Sequence, residues 1–243
     1  FAHMEEVDYH WRSQMLGYKI LASPKSVIYH KGGETLSYNS TKKTYLNHRN
    51  SLIIFFANEG VMGNTNGSIS MIKNDGSMSN YENIGDVVHS LEVYGDKLIV
   101  LVNNSHKILV YDITSEGLAM PGISIDTGLS SPREMVILDG KVYFTNWNTQ
   151  DVKVFNLFNY SIEQSIPVGL LPEGIISDGN SLWVANSGED TVSEISLSTL
   201  NETKYEVGEG PQSLVAHDGD VYISRTYYNA NWNAFYGSSK IEF

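Results

Sequence analysis

The sequence predicts a mainly β chain: a β-propeller of about four to five blades with a short α/β segment in front of it. Three observations predict it. A unit of about 40 residues recurs through the larger part of the chain. Each copy places tight-turn residues between short β-branched or aromatic runs. The balance of charge also changes sign near residue 56, separating an opening segment from the repeats.

The repeat is plain when SPREMVILDGKVYFTNWNTQDVKVFN (131–156) is set beside LPEGIISDGNSLWVANSGEDTVSEIS (171–196). Pro132 and Pro172 are 40 positions apart, as are Asn146 and Asn186. A third copy, GPQSLVAHDGDVYISR (210–225), puts Pro211 39 positions after Pro172. An earlier one, SLEVYGDKLIVLVNNSHKILVYD (90–112), pairs Lys97 with Lys141 at an offset of 44. In each, an apolar strand meets a turn (Asp139-Gly140, Asp178-Gly179, Asp218-Gly219), and a strand such as Val142-Tyr143-Phe144 or Leu182-Trp183-Val184 follows. Asp-Gly supplies the positive φ that a two-residue hairpin turn needs. A polar turn and a third alternating strand complete the rhythm, which is that of propeller blades of about four short strands each. NGSISMIKNDGSMSN (66–80) reads as the outer part of one more blade.

Composition excludes several classes. The longest apolar run, LIIFF at 52–56, falls far short of the roughly 18–20 residues of a membrane-spanning helix. Without cysteine there is neither a disulfide framework nor a thiolate metal site. Residues 1–56 hold seven of the 16 Lys and Arg but four of the 28 Asp and Glu, leaving the remainder strongly acidic. Such a surface argues against nucleic acid as a partner, since phosphate backbones need clustered Lys and Arg.

Within the repeats, Asn146 and Asn186 can be ligand-binding residues, or can end a strand and hold the turn that follows. Trp183 falls at a core-alternating position in mid-strand and reads as a packing residue. Trp147 lies at a turn and is a candidate for stacking on a ligand, a sugar ring among others. A propeller enzyme would need histidines or carboxylates converging on the channel; His89, His106 and His217 hold no shared place in the repeat.

VYFTNWNTQDVKVFN (142–156), LWVANSGEDTVSEISLSTLNETKYEVGEGPQSL (182–214) and the link from Val207-Gly208 to Pro211 resemble the YVTN-type bacterial β-propeller repeat family, over about 57–243. The resemblance implies blades around a central channel and a place outside the cytoplasm, at the cell envelope. It says little of activity, because propellers host many functions.

The opening segment has a different look. Val7, Trp11 and Met15 recur every four residues before Gly17, the pattern of a short amphipathic helix over about 4–16, with Glu5 and Glu6 in its first turn. A strand SVIYH (26–30) and a second helix over about 42–56 are expected after it. MEEVDYHWR (4–12), GYKI (17–20), SPKSVIYHKGGETLS (23–37) and KTYLNHRNSLI (43–53) resemble the C-terminal part of the catalytic domain of inverting family 2 glycosyltransferases. That resemblance implies Glu6, with Glu5 beside it, as the general base at the acceptor hydroxyl, and His30 near a divalent metal and the diphosphate. An intact transferase would use Mg or Mn to neutralise the leaving diphosphate. The nucleotide-binding half and its Asp-x-Asp are not in this sequence.

Two domains are therefore expected, a glycosyltransferase fragment at 1–56 and propeller repeats at 57–243, the propeller being cut short. The leading functional expectation is a non-enzymatic binding or scaffold protein of the bacterial cell envelope that carries a glycosyltransferase remnant. It would take a protein or glycan ligand on the propeller face and no cofactor. The alternative is an inverting, nucleotide-sugar-dependent glycosyltransferase with an accessory propeller, a reading that puts the first segment on the cytoplasmic side. The chain alone is expected to be inactive in transfer, and a nucleotide sugar would bind only to a complete transferase domain.

Overall fold

A computed structural model describes residues 53–73 and 76–242, and among these every regular element is a strand. The first sheet has three strands in the order β1 (Ile54–Asn58), β2 (Gly67–Ile72), β3 (Met78–Gly85). Three four-stranded antiparallel meanders follow. The first is β4 (Val88–Tyr94), β5 (Lys97–Val102), β6 (Lys107–Asp112) and β7 (Ile123–Asp126). Next come β8 (Pro132–Leu138), β9 (Lys141–Asn146), β10 (Asp151–Asn156) and β11 (Ser161–Pro167). The third is β12 (Pro172–Ser177), β13 (Ser181–Asn186), β14 (Thr191–Ser196) and β15 (Glu202–Glu206). A last three-stranded sheet holds β16 (Pro211–His217), β17 (Asp220–Tyr228) and β18 (Ala234–Glu242). The fold is thus mainly β and propeller-like, with blades at the expected period.

By internal packing the chain falls into two compact units. The larger holds, among the described residues, 55–70, 80–113 and 118–242. The smaller includes, among the described residues, 53–54, 71–73, 76–79 and 114–117, where Lys73 Nζ donates to the carbonyls of Ser115 and Glu116. The site described below lies wholly in the larger unit.

Within that unit the first strands of successive blades stand side by side: β8 packs against both β4 and β12, and β12 against β16. The alternation of each second strand supplies the core between blades. Ile99 and Leu101 of β5 pack with Val142 and Phe144 of β9, while Tyr143 faces the other way, toward Leu182 and Val184 of β13. Trp183, between those two, turns to Val192, Val221, Ile223 and Ile241. The ring is fully buried, so its packing assignment from the sequence holds.

The repeat prolines occupy one structural position. Pro132 pairs with Asn146, Pro172 with Asn186 and Pro211 with Arg225, and in each case the register shifts within the next few residues. Val88 holds this place in β4, opposite Val102. Proline suits the start of a strand at a bulge because it has no N–H to lose from the ladder. Asp139-Gly140 and Asp218-Gly219 both adopt positive φ at each residue, the expected tight-turn geometry. Asp178-Gly179 does not: only the glycine is left-handed, and Asn180 lengthens the loop to three residues.

The strand at 54–58 means that the helix expected over about 42–56 does not reach 56. The helix expected over 4–16 lies outside the described residues.

Candidate functional site on the first strands of consecutive blades

The residue directly after the proline position sits in the bulge of each first strand: His89, Arg133, Glu173 and Gln212. A bulge breaks the alternation and re-aims side chains, so polar groups appear where a regular strand would turn them away. Because β4, β8 and β12 are neighbours, residues some 40 positions apart in sequence come into contact.

Arg133 forks onto Glu173: Nε donates to Oε2 at 3.1 Å and Nη2 to Oε1 at 2.7 Å. Both side chains are about 85% buried, 15% and 14% of each being exposed, so the planar guanidinium is well matched to the carboxylate. Its carbon stands 4.0 Å from the centre of the Trp147 ring, and Trp147 Nε1 donates to Glu173 Oε2 at 2.8 Å. Trp147 is therefore half-buried in the constellation with one face covered by Arg133.

His89 stands next to this pair. Its Nδ1 lies 3.1 Å from Glu59 Oε1, and its Nε2 is buried without a hydrogen bond, 3.5 Å from Glu134 Oε1 and 3.9 Å from Glu173 Oε1. Ser90 Oγ donates to Glu134 Oε2 at 3.0 Å. Burial, and after it the Glu134 carboxylate, push the Glu92 carboxyl above its usual range. Carboxylates here thus outnumber the one guanidinium.

Asn146 and Asn186 have structural work instead. Asn146 Oδ1 accepts from Ser130 Oγ, while its amide donates to the Phe144 and Asp151 carbonyls. Asn186 Oδ1 accepts from Gly169 N–H, and its amide donates to Thr191 and Ser193 hydroxyls at 2.9 Å each. Each fully buried amide ties the link from the previous blade to the turn that follows.

Sequence reasoning named Trp147, set His89 aside as holding no shared place in the repeat, where the bulge gives it one, and missed Arg133, Glu134 and Glu173. The available signal was the position after each repeat proline, which is polar in every copy and corresponds to His89 after Val88 in β4; Glu134 lies one place further on. Glu5, Glu6 and His30 lie outside the described residues. Among the described residues no group of three or more His, Cys, Asp or Glu is placed to hold a metal ion, and no helix is long and apolar enough to cross a membrane.

These features define a protein of the β-propeller class. No protein-family profile matches the chain, and no curated protein matches it. Solved structures do share its fold. One is a putative 6-phosphogluconolactonase from Bacteroides uniformis, 10% identical, with a TM-score of 0.60 over 77% of this chain and 68% of that one. Another is a putative 6-phosphogluconolactonase from Bacteroides fragilis, 14% identical, with a TM-score of 0.59 over 77% of this chain and 67% of that one. The WD40 repeats of RRP9 are 13% identical, with a TM-score of 0.59 over 71% of this chain and 53% of that one. The chain spans between 53% and 68% of those three structures.

Proposed function

We propose that this protein is a non-enzymatic propeller scaffold that binds a protein partner through the mouth of its first strands. A basic side chain of that partner would enter beside Glu134. The observation that carries the reading is the constellation itself: three consecutive blades deliver Glu134, Glu173, His89 and the Arg133–Trp147 stack to one place, with carboxylate in excess. Burial first, and then Glu134, raise the Glu92 carboxyl; a lysine or arginine arriving there would offset the second of these. The propeller neighbours include a WD40 protein, which supports a binding role at the level of fold alone.

Titration with short Lys- and Arg-containing peptides, followed by Trp147 fluorescence, tests this. Basic peptides should bind at least about tenfold better than their lysine-acetylated forms, and Glu134→Gln should remove the preference. Equal binding of both forms would refute it.

His89 favours a second reading. An imidazole with one nitrogen on a carboxylate and the other without a hydrogen bond has the arrangement of an oriented base, and two of the structures that share the fold are putative 6-phosphogluconolactonases. Against a phosphorylated substrate stands the local charge, since the one guanidinium is already taken by Glu173. Lactone hydrolysis that His89→Gln abolishes would establish this reading.

The placement at the bacterial cell envelope and the glycosyltransferase remnant at 1–56 belong to the proposal and are supported by sequence resemblance. The alternative of an inverting transferase with an accessory propeller rests on the same residues. Calorimetry with nucleotide diphosphate sugars and Mn²⁺ separates them: micromolar binding lost in Glu6→Gln would favour the transferase.

A further inference from the structure

Arg225 breaks the pattern of the repeat. It stands opposite Pro211, where the two preceding blades place the buried amides Asn146 and Asn186 opposite their prolines. Those amides are fully hydrogen-bonded, whereas the Arg225 side chain makes no hydrogen bond or ion pair with any described residue, and its Nε is buried without a partner. Two glycines make room for the guanidinium: a Cβ on Gly208 would overlap Nη1, and one on Gly237 would stand 2.8 Å from Nη2. A partly buried guanidinium with no partner among the described residues is costly, because nothing there replaces the hydration its buried Nε loses.

The strands that carry Arg225 are also unusual. β17 and β18 run nine residues each, against six in β5, β9 and β13, so the hairpin extends three residues past Arg225. That overhang is TYYNANWNAFY (226–236). Tyr227 and Phe235, directly opposed, stack at 5.4 Å with planes 15° apart, on the same sheet face as Arg225 and Gly237. Trp232 at the tip is 83% exposed and leans on Tyr228, which points to the opposite face. Stacked aromatic surface on the same face as a guanidinium suits a sugar ring bearing a carboxylate: the ring stacks and the fork takes the anion.

We infer that this hairpin is a second binding site, for a saccharide carrying an isolated carboxylate, with Arg225 as its anion anchor and the Tyr227–Phe235 pair on the same face as a stacking surface. The acidic chain repels densely charged polyanions, so one carboxylate per recognised unit is the match. The site is independent of the constellation on the first strands.

The test is calorimetry of the full chain with a xylo-oligosaccharide bearing one glucuronate and with its carboxyl-reduced counterpart. The acidic form should bind at least about tenfold more tightly. Arg225→Gln should erase that difference, and Phe235→Ala should weaken both ligands. Equal affinity for the two forms, binding to neither at about 10 mM, or a preference that survives Arg225→Gln would overturn the inference. The matched ligands decide the matter on the unmodified protein even if a variant folds poorly.

Discussion

Trp183 Nε1 donates to Asp178 Oδ2 at 2.7 Å across the loop that joins β12 to β13, so the largest fully buried side chain is tied to its own turn. The ring also meets Tyr205 at 5.6 Å in the core between the last two blades. Trp183→Ala should cost about 3–5 kcal/mol in urea unfolding, from lost burial and an unfilled cavity. Trp183→Phe keeps most of the ring and loses the hydrogen bond, and should cost clearly less. Similar losses for both would mean that the indole N–H, rather than packing, dominates.

The same pair sets a pH dependence. Burial alone would raise the Asp178 carboxyl, but bonds from Trp183 Nε1 and from the Ser181 and Asn180 N–H groups hold it below its usual value of 3.8. A carboxyl depressed in the folded state stabilises above its unfolded pKa, and that contribution is lost as pH falls through the folded pKa. The protein should therefore lose stability below about pH 4, and Asp178→Asn should flatten this part of the curve. Melting temperatures from pH 7 to pH 2.5 check it; an unchanged slope in the variant would contradict it.

Asn186→Ala removes one amide and strands three partners, the Gly169 N–H and the Thr191 and Ser193 hydroxyls. The loss should be about 1–3 kcal/mol. Asn146→Ala, at the equivalent place, should behave alike. A loss near zero in both would return these residues to the ligand-binding reading.

The blade period, the proline positions and the core role of Trp183 were legible in the sequence because they are set by local periodicity and turn chemistry. The departure at Asp178-Gly179 was not, since Asn180 lengthens that loop and the Asp178 carboxylate spans it, two features the dipeptide does not encode. The site was only half legible. Trp147 showed through its place at a turn, but His89, Arg133, Glu134 and Glu173 become neighbours only when β4, β8 and β12 align. Their bulge positions are a fact of register, visible in the sequence as nothing more than polar residues after two of the repeat prolines and after Val88. Arg225 was hidden for the opposite reason: the repeat leads one to expect the amide of Asn146 and Asn186 at that place.

The most direct test of the account is a double-mutant cycle on Arg133 and Glu173, 40 residues apart in sequence and paired through two hydrogen bonds between adjacent blades. Arg133→Ala, Glu173→Ala and the double variant would be compared by urea unfolding. The account predicts a coupling of at least about 1 kcal/mol, as expected for contacting, partly buried charges. Additive losses, within about 0.3 kcal/mol, would show that these first strands do not bring the two side chains together, and the candidate site would fall with them.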